Sequence, residues 1–190
     1  LCAPRGASPR KVLRVSIKTA VVGHVEWGDF ARVERLPAQG EILHASDAWE
    51  EVAGGGAVVA LRFAAAGSSV AFFTALGGDS RAKTSEEQLV SAGVTVRAAR
   101  RKPPQPRAFT FVDAAGERTI TVMGGKHLPT GADPLPWNEL AGVDCVYFAC
   151  GDVAALRLAR KGKVVVASAR ELPLLIAGKV ELDVLIHSAN

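Results

Sequence analysis

The 190-residue sequence has few of the residues that build metal sites and disulfide frameworks. Its three cysteines form no C-x-x-C pair, and its four histidines form no H-x-x-x-H or H-x-H pattern. These absences argue against a zinc site and against a disulfide-stabilised fold. We expect Cys145 and Cys150, which lie in or beside the apolar run DCVYFACGD, to be buried thiols.

The chain also lacks a strong charge bias. Lys and Arg number 23 against 19 Asp and Glu, a formal net charge of +4, which is too small to indicate a nucleic-acid partner. The apolar stretch 57–78 carries one charge, Arg62, but the AGSS at 66–69 would interrupt a membrane helix. A helix, a turn and a buried strand explain this stretch, so we expect a cytoplasmic protein with no membrane partner.

Several catalytic signatures are missing as well. No Gly-Lys-Ser/Thr occurs, which excludes the common phosphate-binding loop, and no G-x-S-x-G marks a nucleophilic serine. The dinucleotide fingerprint G-x-G-x-x-G fits Gly54 and Gly56 but fails at Val59. It also follows the polar stretch DAWEEV instead of a buried strand, so a Rossmann oxidoreductase stays only as an alternative.

What the chain does have is a regular alternation of apolar strands and short helices. The pattern predicts strands at 18–24, 69–76, 94–99, 144–150, 163–168 and 182–188. It predicts helices at 57–66, 84–93, 154–161 and 170–178, the second with a capping box of Ser85 and Gln88 or of Thr84 and Glu87. Such alternation indicates an α/β fold, a doubly wound and mostly parallel sheet with flanking helices. These sheets bind ligands at the carboxyl ends of their strands.

Two segments do not fit this alternation and predict short strands, as an appendage to the main sheet, and a hairpin. Residues 25–52 alternate polar and apolar residues, and 107–125 form the clearest hairpin, with Gly116 in its turn. Residues 1–17, basic and free of acids, are interpreted as a disordered or mis-called leader before a partial domain at 18–190. An α/β domain rarely stops on the ligand side of its sheet, which predicts truncation at the C-terminus.

The run EEVAGGGAVVALRFAAAG at 50–67 raises the functional question, because three glycines open a helix. Backbone N–H groups of such a loop can donate to ligand oxygens, and the missing side chains let a ligand come close. The alternative is that the glycines serve helix–strand packing alone.

The order of motifs is more informative than any one of them. In chain order they are AVVGHVEWGDF, LPAQGEIL, EEVAGGGAVVALRFAAAGSSVAFFTALGGDS, FTFVDAAGERTITV and DVLIHSAN. From Lys18 to Asn190 the sequence resembles the pfkB-type carbohydrate kinases, the ribokinase-like family. The resemblance implies a ribokinase-like fold in which 25–52 and 107–124 build a β-lid over the sugar, through which a homodimer can form.

The resemblance also implies an activity, the Mg²⁺-dependent transfer of the γ-phosphoryl group of ATP to a sugar or related alcohol, with a nucleoside possible. By analogy, Ala53, Gly54 and Gly55 would contact sugar hydroxyls. Asp29 is the candidate for the family's sugar-binding Asp, although the commonest spacing places that residue at Gly28.

The resemblance assigns three further positions. Asp152, after the VYFACGD strand, is a candidate substrate ligand. Asn190, or Ser188 by strict strand counting, would open the Asn-x-x-Glu motif that organises Mg²⁺ and phosphate. Val58 stands where many relatives carry an Asn, so the pocket lacks that hydrogen-bonding group.

The family's second signature, D-T-x-G-A-G-D, with its general-base Asp and anion hole, does not occur in this sequence. Phosphoryl transfer depends on positioning and on charge stabilisation of this kind. The resemblance therefore implies an N-terminal portion that is inactive alone. The alternative is a non-catalytic module that binds a sugar without ATP.

Overall fold

The computed structural model describes residues 17–187, in which ten strands form two sheets. In chain order the strands are β1 (Lys18–Val22), β2 (Glu26–Arg32), β3 (Asp47–Ala53), β4 (Ser69–Leu76), β5 (Val94–Arg100), β6 (Arg107–Val112), β7 (Arg118–Met123), β8 (Cys145–Phe148), β9 (Val164–Ser168) and β10 (Val184–Ile186). The helices are α1 (Gly55–Ala65), α2 (Ser80–Ser91), α3 (Val153–Ala159) and α4 (Leu172–Gly178). Two short 3₁₀ turns span Trp137–Gly142 and Ala169–Glu171.

The main sheet has six strands in the order β10-β9-β8-β1-β4-β5, and every pairing in it is parallel. The chain adds β4 and β5 on one side of β1, then returns to add β8, β9 and β10 on the other side. The winding direction thus reverses between β1 and β8. In a doubly wound sheet, the carboxyl end of the sheet at this reversal is where a ligand crevice forms. This confirms the expected fold class.

Two apolar cores fill the space between the sheet and its helices. One lies under α3 and α4 and the other under α1 and α2. Phe72 and Phe73, consecutive in β4, point to opposite faces and enter different cores. Phe73 stacks on Trp137 with ring centroids 5.3 Å apart. Each buried phenylalanine contributes about 1.5–3 kcal/mol relative to an exposed one, so β4 anchors both layers.

The second sheet, in the order β3-β2-β6-β7, is built from the two segments expected to form a lid. Its central pair, β2 and β6, is parallel, whereas β3 and β7 pair antiparallel at the two edges. The β6–β7 turn has Gly116 at a φ of 83°. One carboxylate oxygen of Asp113 accepts the N–H groups of Ala115 and Glu117, which closes the turn. We call this four-stranded sheet the lid.

The structure corrects the predicted start of α2. The helix begins at Ser80, and its cap is Asp79, whose side chain accepts the N–H of Ala82. The predicted capping box is wrong, because Thr84 and Ser85 lie inside the helix. Ser85 is fully buried and its hydroxyl has no hydrogen-bond partner among the described residues. The sequence pattern missed the first turn because SRAK carries no apolar period.

Within residues 17–187, no helix combines the length and the apolar character that crossing a bilayer requires. The predicted leader lies outside the described residues except for Ile17. Ser188 and Asn190 also lie outside them.

Candidate functional site

The glycine run lies at the point where the winding of the main sheet reverses. Gly23 follows β1, and its backbone touches the start of α1. A Cβ atom on Gly56 would lie 2.9 Å from the Cα of Gly23, too close for any side chain. Gly54 has a φ of 94°, and a Cβ there would lie 2.8 Å from the backbone nitrogen of Glu26. Close contact with the neighbouring backbone therefore explains why positions 54 and 56 are glycines.

Gly55 differs from its two neighbours because no tight contact surrounds it. A Cβ atom there would meet only the Cε1 of His24, at an ordinary 3.6 Å. Gly55 is exposed at the carboxyl edge of the sheet. The loop thus combines two packing glycines with one that leaves open space for a ligand.

His24 connects the glycine loop to both central strands of the sheet. Its Nε2 accepts the N–H of Gly55 at 3.4 Å, and its carbonyl accepts the N–H of Ala57 at 3.3 Å. Its Nδ1 lies 3.0 Å from the Sγ of Cys150, which follows β8. Sequence reasoning missed His24, although a polar residue beside Gly23 at the end of a buried strand was a usable signal.

Burial keeps the groups of this contact uncharged near neutral pH. Burial and the nearby Lys126 lower the pKa of His24 to about 4. Burial, with a smaller contribution from Glu171, raises the pKa of the Cys150 thiol to about 12. The expectation that Cys150 is a buried thiol is confirmed, while Cys145 is only partly buried.

Glu26, the first residue of β2, is the acidic side chain beside this loop. It is 7% exposed, and its Oε1 lies 3.6 Å from the Nε2 of His24. That oxygen is buried and has no hydrogen-bond partner among the described residues. Burial raises the pKa of the Glu26 carboxyl, with Lys126 opposing this rise. Sequence reasoning missed Glu26 because a glutamate in a strand is usually a surface residue.

Asp29 lies on the opposite face of the lid from Glu26. Successive residues of a strand point to opposite faces, so Asp29 faces away from Gly28 and Glu26. Its carboxylate forms an ion pair with Arg107, at 3.0 Å from Nε and 2.8 Å from the neighbouring guanidinium nitrogen. The structure therefore does not bring Asp29 together with Gly55.

Gly28, the usual family position for the sugar-binding Asp, lies on the same lid face as Glu26 and Ala53. A Cβ there would be 3.1 Å from the Cβ of Ala53 and 2.4 Å from the ring of Phe30. The Phe30 ring, stacked on Trp49 at 5.1 Å between centroids, occupies this space. At this position the lid face therefore carries the aromatic ring of Phe30, where the resemblance would place an Asp.

Asp152 caps α3 at the same edge of the main sheet. One oxygen of its carboxylate accepts the N–H groups of Ala155 at 2.7 Å and Gly131 at 2.9 Å. This oxygen therefore has a structural role, whether or not the other contacts a ligand. Asn190 lies outside the described residues. Among residues 17–187, no three His, Cys, Asp or Glu side chains cluster in a way that could hold a metal ion.

A family model, described as the pfkB family of carbohydrate kinases, matches residues 16–166. The chain belongs to this family. Its members are phosphotransferases, and this assignment sets aside the Rossmann alternative. The resemblance drawn from the motif order is confirmed.

Several ribokinases are similar to this chain in sequence or in fold. One from Staphylococcus aureus (strain COL) is 31% identical over 116 residues, 58% of this chain and 38% of that protein. The structure of the Arabidopsis thaliana ribokinase with ribose and ATP has a TM-score of 0.60 and 21% identity, and the match covers 81% of this chain and 54% of the other.

A ribokinase from Cryptococcus neoformans var. grubii, solved with ADP, has a TM-score of 0.63 and 23% identity. That match covers 81% of this chain and 50% of the other. At this identity the two structures show the fold alone. This pfkB-family chain spans less than two thirds of the length of each of these relatives.

Proposed function

We propose that this chain forms the acceptor-binding part of a pfkB kinase that phosphorylates a sugar or a related alcohol, a class that includes nucleosides. The observation that carries the proposal is the position of Gly55. It is an exposed glycine at the start of a helix, at the sheet edge where the winding reverses. The chain enters the first hairpin of the lid and leaves it close to this glycine. β3 ends at Ala53, and β2 begins at Glu26.

The proposed acceptor site is the loop Ala53, Gly54 and Gly55. Its work is positioning, since phosphoryl transfer needs the acceptor oxygen held in line with the γ-phosphorus. Gly55 lets an acceptor approach the backbone closely, and the aromatic pair Phe30 and Trp49 offers an apolar lid surface.

Asp29 and Asp152 remain proposed substrate ligands. Asp29 would have to exchange its ion pair with Arg107 for acceptor hydroxyls. In the complete protein we expect Asp29→Ala to weaken acceptor binding strongly while the fold is kept. Unchanged affinity and turnover would remove Asp29 from the site and leave Glu26 as the nearest acidic group.

ATP and Mg²⁺ are proposed cofactors of the complete kinase. The described residues offer no carboxylate cluster that fits Mg²⁺, and we place neither group on them. Asn190 remains the one proposed contact to cofactor. The D-T-x-G-A-G-D signature does not occur in residues 1–190. We therefore propose that these residues alone do not catalyse phosphoryl transfer.

The second candidate is a sugar-binding module without kinase activity. Calorimetry on the protein encoded by the complete reading frame, with a panel of sugars and nucleosides and with and without a non-hydrolysable ATP analogue, separates the two. A kinase binds acceptor and nucleotide, whereas a module binds sugar only. If neither the 190-residue chain nor the protein encoded by the complete reading frame binds any acceptor, both proposals are wrong.

Two further proposals follow from the family. We propose a cytoplasmic protein and a homodimer formed through the lid. The edge strand β7 supports the dimer, since all six of its residues are exposed, including Ile120 and Val122.

A further inference from the structure

His24 touches the glycine loop with its ring and with its carbonyl group, and nothing in the family assignment gives it a role. We propose that His24 is a positioning residue for the acceptor loop. As a neutral imidazole it caps the first turn of α1 and fixes the backbone of Gly55. A proton on its Nε2 breaks this cap and pairs the ring with Glu26.

His24 caps the first turn of α1. The first N–H groups of a helix have no acceptor within the helix. α1 begins after Gly54 and has no side-chain cap of its own. His24 supplies two acceptors from outside the helix, Nε2 for Gly55 and its carbonyl for Ala57. The direction of the Gly55 N–H thus depends on a ring that belongs to the end of β1.

The cap requires one particular tautomer of the His24 ring. A backbone N–H can only donate, so Nε2 must be unprotonated to accept from Gly55. The proton of the neutral ring then lies on Nδ1, which donates to the Sγ of Cys150 at 3.0 Å. Cys150 is 2% exposed, so this contact is shielded from water. The Gly55 N–H therefore selects the Nδ1–H tautomer, and the Cys150 sulfur serves as an acceptor for it.

Glu26 is the alternative hydrogen-bond partner for the Nε2 of His24. The Oε1 of Glu26 lies 3.6 Å from Nε2, and both atoms are acceptors when the ring is neutral. This leaves the buried carboxyl oxygen without a partner. A proton taken from solvent onto Nε2 turns this atom into a donor. The bond from Gly55 is then lost, and an N–H···O bond to Glu26 replaces it.

Groups from several elements of the fold set the pH at which this exchange of partners occurs. Lys126, after β7, opposes the protonated ring, and the Oε1 of Glu26 at the start of β2 lies 3.6 Å from Nε2 as an acceptor for it. Cys150 after β8 faces Nδ1, and Glu171 in the 3₁₀ turn acts on Cys150. Burial is the largest influence and lowers the pKa of His24 to about 4, so the ring is neutral at pH 7 and the cap opens in acid.

Nuclear magnetic resonance on the ¹⁵N-labelled chain tests the cap directly and needs no acceptor. We expect the imidazole of His24 to carry its proton on Nδ1 at pH 7. We also expect the Gly55 amide resonance to shift in acid with the same midpoint as the ring. An Nε2–H tautomer, or a Gly55 amide that does not follow the ring, overturns the proposal.

Three variants separate positioning from general stability. His24→Gln keeps an acceptor oxygen for Gly55 but cannot titrate, so we expect the Gly55 amide to lose its acid shift. His24→Leu removes the acceptor and should move that amide already at pH 7. Glu26→Leu removes the acceptor oxygen beside the ring and should lower the midpoint of the His24 titration. An unchanged midpoint in Glu26→Leu contradicts the exchange of partners.

The consequence for binding rests on the proposed function. In the complete protein we expect His24→Leu to raise the KM for the acceptor by on the order of tenfold, the effect of one lost hydrogen bond, with a smaller change in kcat. His24→Gln should restore the KM. An unchanged KM in His24→Leu, with phosphorylation intact, overturns the positioning role. If no acceptor is phosphorylated while the resonance results hold, the proposed function fails and the positioning role of His24 stands.

Discussion

At the scale of single residues, the site differs most from the sequence-based interpretation in its acidic group. The motif order indicates an Asp near Gly23, and Asp29 is the available one. The strand alternation turns Asp29 toward Arg107 and turns Glu26 toward His24. One position of shift along a strand reverses the face, so the choice between position 28 and position 29 decides which face of the lid carries the proposed ligand.

The unfolding free energy should fall in acid because of His24. Its pKa is about 4 in the folded chain, below the ordinary 6.5, so the unfolded chain binds a proton that the folded chain excludes. As the pH falls through 6.5 the stability falls, by up to about 1.4 kcal/mol per pH unit, and this loss levels off below about 4. The raised pKa of Glu26 acts in the opposite direction within its own window.

Urea unfolding between pH 7 and pH 4 measures this effect. His24→Gln should lose less stability in acid than the wild-type chain. The matched control is His44→Gln, at an exposed histidine, which should keep the wild-type pH dependence. Equal pH dependence in all three chains would show that His24 does not titrate as described.

At the scale of elements, a network of hydrogen bonds joins α2 to the connector between β5 and β6. One oxygen of Asp79 accepts the N–H of Ala82 at 3.2 Å and the N–H of Gln105 at 3.0 Å. The Gln105 side chain, 3% exposed, accepts from Gly77 and donates to the carbonyl of Val25. This network connects the end of β4 and the start of α2 to the residue that precedes the first lid strand, β2.

Asp79→Ala should therefore destabilise the chain by about 1–2 kcal/mol, through the loss of a helix cap and of a partner for a buried backbone group. Amide hydrogen exchange should accelerate in the first turn of α2 and at Gln105. Asp113→Ala, which opens only the exposed β6–β7 turn, is the control and should leave those amides unchanged. Equal exchange at α2 in both variants would contradict the role given to Asp79.

Much of the fold could be predicted from the sequence, because apolar runs and glycines mark the strands and their ends. The strand at 69–76 and the hairpin around Gly116 agree with the structure. The start of α2 was missed because SRAK carries no apolar period, although Asp79 is of a type preferred as a helix cap. The contact between His24 and Cys150 was inaccessible, because 126 residues separate them in the chain.

At the scale of the whole molecule, the exposed edge of the lid leads to a prediction about assembly. Ile120 and Val122 are 51% and 46% exposed and share the lid face that contains Gly28. If the lid forms the dimer contact, Ile120→Lys should convert a dimer into a monomer in sedimentation equilibrium. Ile176→Lys, at a 68% exposed residue on α4, is the control and should remain a dimer. A monomeric wild-type protein would contradict the proposed assembly.

The central claim is that Gly55 marks the acceptor site of a pfkB kinase. The most direct measurement follows transfer of the γ-phosphoryl group of ATP to sugars and nucleosides by the complete encoded protein, for wild type and Gly55→Ala. The added methyl group meets only His24 at 3.6 Å, so the fold should be kept while the acceptor pocket narrows. We predict transfer by the wild type, a raised acceptor KM in Gly55→Ala, and wild-type behaviour in the control Gly142→Ala, which also has open space around it. Absence of transfer to any acceptor, or an unchanged acceptor KM in Gly55→Ala, would contradict the account.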